Sequence, residues 1–239
     1  MLSIIALTVL GVLGLQSFLV CVLLFIKARN VISNKLLALL ILFLTFSYFN
    51  YFLSNILFLA GWGHVVPYLQ VETLFGIGPA LFLYTQSLVS DQFRLEKKHL
   101  LHFIPFAIEF LYYRTNIYAE GAIGIGSIPS TSLQYFYIVE QYAGLVSVAI
   151  YAFLALRLLD RYKNDLLSFY SSLDQHSIQW LLAPIIGFSI FWMSWLSTRL
   201  IDVFLFDDGL RTYYYLPTLM LLAVISGWIG LIGYFKNDT

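Results

Sequence analysis

The chain has 239 residues, 60% of them hydrophobic and 11% charged, with 13 Lys and Arg balanced by 13 Asp and Glu. Soluble globular domains carry about 25% charged residues, so this composition and a mean hydropathy of +0.83 exclude a water-covered globule, and the balanced charge excludes a basic nucleic-acid-binding body. The apolar runs are too long, and alternate too little, for barrel strands of about ten residues; the spanning structure that remains is the helix.

Crossing about 30 Å of hydrocarbon takes about 20 helical residues, and the runs predict an all-α bundle of seven transmembrane helices. The first covers Ile4 to Ile26. No cationic residue precedes Lys27 and no small-residue cleavage signal follows the run, so it is predicted as a retained helix rather than a leader. The second covers Leu36 to Leu59 and ends at the turn Gly61-Trp62-Gly63-His64. The third, Pro67 to Val89, contains Gly76, Gly78 and Pro79. Proline removes a backbone donor and clashes with the preceding turn, which predicts a kink there, one that serves helix packing or, as the alternative, a moving part for signalling or an ion or substrate site. The fourth, Leu100 to Tyr113 and onward to Ile117, is the shortest. A Gly- and Ser-rich connection leads to the fifth, Leu133 to Leu156, and the polar stretch 164–176 is predicted to lie at the membrane surface or to extend that helix. The sixth covers Ile178 to Val203, the turn Asp207-Asp208-Gly209 follows, and the seventh covers Thr212 to Tyr234.

Basic residues are unevenly shared between the connections. With the N-terminus outside, Lys27, Arg29, Lys35, Arg94, Lys97, Lys98, Arg157, Arg161, Lys163 and Lys236 fall on the cytoplasmic side, which is 10 of the 13 cations. That is the positive-inside pattern, and it places the C-terminus in the cytoplasm.

The informative anomalies are ionisable residues within the membrane layer. Glu72, Glu109, Glu140, Arg199 and Asp202 all fall in the outer halves of their predicted helices. A charge at membrane depth costs about 2.5–3.5 kcal/mol on insertion scales and usually faces protein, water or an opposite charge. Two readings stand side by side: the five form an outward-opening ligand pocket between helices three, four, five and six, or they pair among themselves and snorkel to the headgroups. Asn50, Asn55, Gln134 and Gln141 could line the same space or join helices by hydrogen bonds.

No catalytic constellation stands out, so an enzyme is not expected. Cys21 is the only cysteine and reads as a packing residue. His99, His102 and His176 lack an acidic companion at metal-site spacing, so neither a metal nor a cofactor is expected. No lysine sits inside the seventh run, which counts against a retinal Schiff base. The 21 Phe, 17 Tyr and 5 Trp suit interfacial belts, or the walls of a ring-binding site.

Four stretches in order resemble the N-terminal seven-helix sensory region of membrane-bound AraC-family transcriptional regulators, a region related to the sensory regions of some histidine kinases. They are Asn34-Lys35-Leu36-Leu37-Ala38-Leu39-Leu40, Gly78-Pro79-Ala80-Leu81-Phe82-Leu83-Tyr84, His102-Phe103-Ile104-Pro105-Phe106, and Tyr170-Ser171-Ser172-Leu173-Asp174 with Trp180-Leu181. The resemblance implies a multi-pass protein of the bacterial cytoplasmic membrane that perceives an extracytoplasmic or lipid-phase signal. It implies relay to a cytoplasmic helix-turn-helix region, which these 239 residues do not contain. The expected partners are the lipid bilayer and an unidentified small molecule, with a homodimer as a candidate assembly and no direct nucleic-acid contact by this region. A small-molecule transporter or channel is the alternative.

Overall fold

The structure, a computed structural model, describes residues 2–27, 31–90, 92–121, 131–169, 175–207 and 209–236, and contains no strand among them. Residues 122–130 and Tyr170–Asp174 lie outside the described residues, as do the side chains of Gln134, His176, Trp180, Leu181, Arg211 and Lys236. Among the described residues seven long helices follow one another: α1 (Leu2–Lys27), α2 (Ile32–Leu59), α3 (Leu74–Val89), α4 (Ile104–Gly121), α5 (Thr131–Phe169), α6 (Gln175–Phe206) and α7 (Arg211–Lys236). Among the described residues, six segments are long and apolar enough to cross a membrane: Ile4–Lys27, Ile32–Leu59, Gly63–Val89, Ile138–Asn164, Pro184–Phe206 and Tyr213–Phe235. This is the architecture of a multi-pass membrane protein. The helix α4, which carries Glu109 and Arg114, is not among the six.

The helices are apolar around most of their circumference, as expected where both core and surroundings are hydrocarbon. Leu10, Leu24, Leu37, Ile41, Leu44, Ile77, Val148, Phe188 and Leu222 are fully buried, while Ile4, Leu19, Ile150, Ile190 and Val224 point outward. Close helix approach is set by glycine. A Cβ at Gly230 of α7 would lie 2.6 Å from Val20 on α1 and 2.8 Å from Ile41 on α2, so only a bare backbone lets α7 seat against both. Cys21 is buried at the same contact, its thiol donating to Ala38 O at 3.3 Å.

Side-chain contacts show which helix ends meet. The Lys27 ammonium at the end of α1 donates to Tyr234 O at the end of α7. At the opposite end Arg114 of α4 reaches the carbonyls of Tyr68 and Gln70 beyond the Gly61 turn. There too Asp202 of α6 meets Tyr214 of α7. The bundle therefore has a Gly61 end and a Lys98 end.

The Gly61 turn closes α2 in the manner its glycine dictates. Gly61 takes φ 79°, Gly61 N donates to Phe58 O at 3.1 Å and Trp62 N to Leu57 O at 2.8 Å. This pair of bonds, with glycine in the left-handed region, is the Schellman closure. At the Lys98 end Glu96 caps the short helix Lys97–Leu100 reciprocally with His99. The Lys98 ammonium 2.9 Å from the Glu96 carboxylate holds that carboxyl below its usual value.

Three features differ from the sequence reading. The third run is not one helix kinked at Gly76–Pro79. It is a short helical turn, Val66–Leu69, a non-helical link over residues 70–73, and then α3, with Pro79 inside the continuous helix. The reason is long-range: Asn50 of α2 donates to Val71 O at 2.8 Å and accepts from Val71 N at 3.3 Å, so the link's backbone is satisfied without helix. Second, α5 runs 39 residues, or about 58 Å at helical rise, and carries Arg157, Arg161 and Lys163 past the length a bilayer needs. The polar stretch thus extends the helix as far as Phe169. Third, α1, α6 and α7 each extend beyond the predicted runs by a few residues at one end or both, within ordinary boundary uncertainty.

Candidate functional site

A cavity of about 230 Å³ opens inside the bundle toward the Gly61 end. Its first wall is α2, through Ser47, Asn50, Tyr51 and Ser54. Its second is the non-helical link and the first residue of α3, through Gln70, Glu72, Thr73 and Leu74. Glu140, Gln141 and Leu145 of α5, Trp192 and Trp195 of α6, and Tyr215 and Leu219 of α7 complete it. The break before α3 makes the space: a helix continued through residues 70–73 would fill it with backbone and turn Glu72 elsewhere.

The polar groups on the α2 side are committed to one another. Gln70 Nε2 donates to Ser54 Oγ at 2.6 Å, and Ser54 Oγ donates to Asn50 O at 2.7 Å. Thr73 Oγ1 donates to Phe43 O at 3.0 Å and lies 3.3 Å from Ser47 Oγ. These bonds fix the link against α2.

The opposite side is different. Glu140 is 1% exposed. Its Oε2 accepts from the Tyr113 hydroxyl at 2.7 Å, and its carboxyl packs against Gln141 and the Glu109 carboxyl. The Trp192 indole is also 1% exposed, and its Nε1–H is unpartnered. Both groups are thus sealed within the wall rather than open to the cavity.

Glu109 lies behind Glu140, on α4. It is 1% exposed, and its carboxyl packs against that of Glu140 and against the backbone of Phe75. Glu72 is half-buried and carries no ion pair among the described residues. Among the described side chains, two arginines at this end, Arg114 and Arg199, are occupied. Arg114 spends its N–H groups on the Tyr68 and Gln70 carbonyls. Arg199 lies 3.6 Å from Asp202 Oδ2 and donates to the Tyr214 hydroxyl at 3.2 Å. Asp202 is fully engaged, accepting from Tyr214 at 3.0 Å and from Leu210 N at 2.9 Å.

The five ionisable residues singled out from sequence therefore separate. Glu72 and Glu140 line the cavity, Glu109 sits behind it, and Arg199 with Asp202 forms a separate clasp between α6 and α7. The walls come from α2, α3, α5, α6 and α7 rather than from helices three to six, because α4 touches the space only through groups behind Glu140. Asn50 holds the link and Gln141 lines the cavity, while Asn55 bonds its own helix at Tyr51 O, 2.8 Å away. Gly76 and Gly78 permit close packing instead of a kink: a Cβ would lie 2.6 Å from Phe43 and 2.6 Å from Tyr151, respectively.

The sequence reading missed Trp192 and Trp195, whose rings stack at 4.9 Å and 21°. A tryptophan inside an apolar run looks like core; the available signal was its N–H, which needs a partner when buried. It also missed a hydroxyl chain at the centre of the bundle. Ser226 of α7 lies 3.3 Å from Ser17 Oγ of α1 and 3.1 Å from the Tyr48 hydroxyl of α2, which donates to Thr45 at 3.3 Å. At the Lys98 end the Tyr151 hydroxyl and His102 Nδ1 are 2.9 Å apart, beside a shallow groove shared with Phe82 and Gln86. No group of three His, Cys, Asp or Glu side chains among the described residues is placed to hold a metal.

No family model, curated protein or solved structure matches the chain.

Proposed function

We propose that the chain is the membrane-embedded sensory part of a bacterial transcriptional regulator. In this reading seven helices cross the cytoplasmic membrane, with the Gly61 end outside and the Lys98 end in the cytoplasm. A small molecule entering from outside occupies the cavity, and the helices relay its presence to a cytoplasmic DNA-binding region. No catalytic step is part of the proposal. The observation that carries it is the cavity itself, lined by Glu72, Glu140 and Gln141 together with Tyr51, Trp192, Trp195 and Tyr215.

Two further features support a sensor over a channel or transporter. Among the described residues the core adjoining the cavity is largely apolar, with Leu37, Ile41, Leu44, Ile77 and Phe188, and its polar inclusion is the hydroxyl chain of Ser17, Ser226, Tyr48 and Thr45. The cavity also touches two helices that run the full depth of the bundle. Leu74 begins α3, and Tyr215 and Leu219 lie on α7, whose far end is tied to Lys27. A ligand that binds one arrangement of these helices better than another shifts their population, and by no more than its differential affinity.

The test is genetic. In the native host, a chromosomal Glu72→Gln/Glu140→Gln variant present in the membrane at wild-type level is expected to reproduce the transcript changes of a deletion strain. A wild-type transcript profile in that variant, beside a changed profile in the deletion, overturns the cavity's role. Solute flux through the purified chain in liposomes would favour a transporter instead.

A further inference from the structure

A second hollow lies at the Lys98 end, apart from the cavity. It is a groove of about 400 Å³ between two stripes of side chains. One stripe is Leu36, Leu39 and Phe43, which share a face of α2 at helical spacing. The other includes Leu100, Phe103 and Ile104, at the entrance to α4. Every side chain that lines the groove is apolar. Phe43 joins the two walls, its ring 6.3 Å from that of Phe103 and 5.0 Å from that of Phe106.

The stretch that leads into α4 has the make-up of a membrane-surface segment. Leu95, Leu100, Leu101 and Ile104 are each at least 48% exposed, and Arg94, Lys97 and Lys98 are exposed among them. Large apolar and cationic side chains mixed on one exposed segment suit the boundary between headgroups and acyl chains. Local contacts pin the segment. Glu96 and His99 cap the short helix reciprocally, the buried His99 ring lies 5.2 Å from that of Phe93, and Phe93 N donates to Ser90 O at 3.0 Å.

In a chain that crosses a bilayer, an apolar groove at this boundary is better filled by hydrocarbon than by water. The rim decides which lipid supplies it. Lys35 adjoins Leu36, Arg94 adjoins Leu95, and Lys97 precedes Leu100 by about one turn, so both walls carry cations beside the groove. All three cations are exposed, and none has an ion pair among the described residues, whereas Lys98 is 2.9 Å from Glu96. Among the described residues no acidic side chain lines the groove. A zwitterionic headgroup brings these cations no net charge; an anionic one does.

We propose that the groove holds an acyl chain of one anionic phospholipid, whose phosphate is met by Lys35, Arg94 and Lys97. The site requires that the chain span the membrane and is independent of any ligand in the cavity.

The test is native mass spectrometry of the whole chain released from nanodiscs that contain phosphatidylcholine and phosphatidylglycerol in equal amounts. The wild type is expected to retain one phosphatidylglycerol in preference to phosphatidylcholine. Lys35→Gln/Arg94→Gln/Lys97→Gln, which alters exposed side chains alone, is expected to lower that preference by about tenfold or more, since each cation near an anionic surface is worth about fivefold. Arg157→Gln/Arg161→Gln removes two cations of α5 that lie outside the groove and is expected to leave the preference unchanged. Ile104→Trp fills the groove from one wall and Leu39→Trp from the other. Each is expected to strip retained phospholipid of either headgroup, and a melt in lipid-free detergent identifies the variants that fold; if neither does, the two sets of glutamine variants decide. Equal retention of the two lipids by the wild type overturns the proposal. So does a preference lost as fully in the α5 pair as in the groove triple, which would be diffuse attraction to a basic face. Lipid retained by a folded tryptophan variant overturns it too, as does a dimer that such a variant abolishes, which would give the groove to a second copy of the chain.

Discussion

The Tyr113 hydroxyl donates to Glu140 Oε2 at 2.7 Å, across the contact of α4 with α5. Tyr113→Phe removes this donor from a carboxyl that is 1% exposed. A hydrogen bond to a charged group is worth about 1.5–3 kcal/mol, so the variant is expected to melt several degrees lower in detergent. An unchanged melting temperature would show that water already serves this carboxyl. The central hydroxyl chain behaves differently. Ser226→Ala removes links to Ser17 and Tyr48, but Tyr48 keeps Thr45. Interhelical hydrogen bonds within membranes average about 0.6 kcal/mol, and a loss near that size is expected despite complete burial. A loss several times larger would mean that the chain acts as a cooperative network.

The break before α3 shows which elements could be read from sequence and which could not. Apolar runs place helices, because spanning length and lipid leave the backbone one solution. The local breakers, Gly76 and Pro79, pointed at the wrong turn. Pro79 is tolerated within α3, whereas the link over residues 70–73 is held open by Asn50, 21 residues away, and by Arg114, 44 residues from Gln70. Nothing local to the link encodes those partners. The same distance hid the site's composition: acids in an apolar run announce themselves, but that Arg199 belongs with Tyr214 and that Trp192 stacks on Trp195 beside the cavity depends on how α6, α7 and α5 are set. Two predictions belong to this element. Asn50→Ala strips both backbone groups of Val71 of their partner and is expected to cost about 2 kcal/mol or more, the scale of buried unpaired groups. Asn50→Asp retains the acceptor for Val71 N and is expected to fall between. Equal stability of all three would show that the link does not need this clamp. Gly78→Ala places a methyl 2.6 Å from Tyr151 Cδ2 and 3.1 Å from its Cβ, and the Tyr151 hydroxyl is tied to His102 at 2.9 Å, so the ring cannot swing clear. Overpacking of this kind costs about 1–3 kcal/mol, and a thermal melt of the purified variant checks it. Extended to the His102→Ala background, the penalty should shrink, since the ring is then free to move.

Across the whole molecule the decisive matter is sidedness, because the cavity lies at one end and the basic connections at the other. Lys27 and the end of α7 meet at one face of the bundle, and Lys97, Lys98 and the far length of α5 with Arg157 and Lys163 are expected to share it. Trp62 and the Tyr68–Gln70 carbonyls lie at the opposite face, and Arg114 brings α4 to them. That last contact bears on the number of crossings. The helix α4 carries Glu109, Arg114 and Glu120 and is less apolar than its neighbours, yet it begins beside His102 and Tyr151, and its Arg114 reaches Gln70. Glu109 and Arg114 turn inward, to Glu140 and to the link, which is how a charged helix can cross lipid. Placing cations in the cytoplasm then puts the cavity outside. In a Cys21→Ala background, a membrane-impermeant maleimide applied to intact cells is expected to label Trp62→Cys and to leave Lys97→Cys untouched until the membrane is permeabilised. A green fluorescent protein fused after Thr239 is expected to fluoresce, as it does only in the cytoplasm when exported through the general secretory route. Labelling of Lys97→Cys from outside would invert the protein and make the cavity a sensor of cytoplasmic compounds. A dark fusion with the labelling pattern intact would instead remove one crossing, and α4 would be the helix to give up.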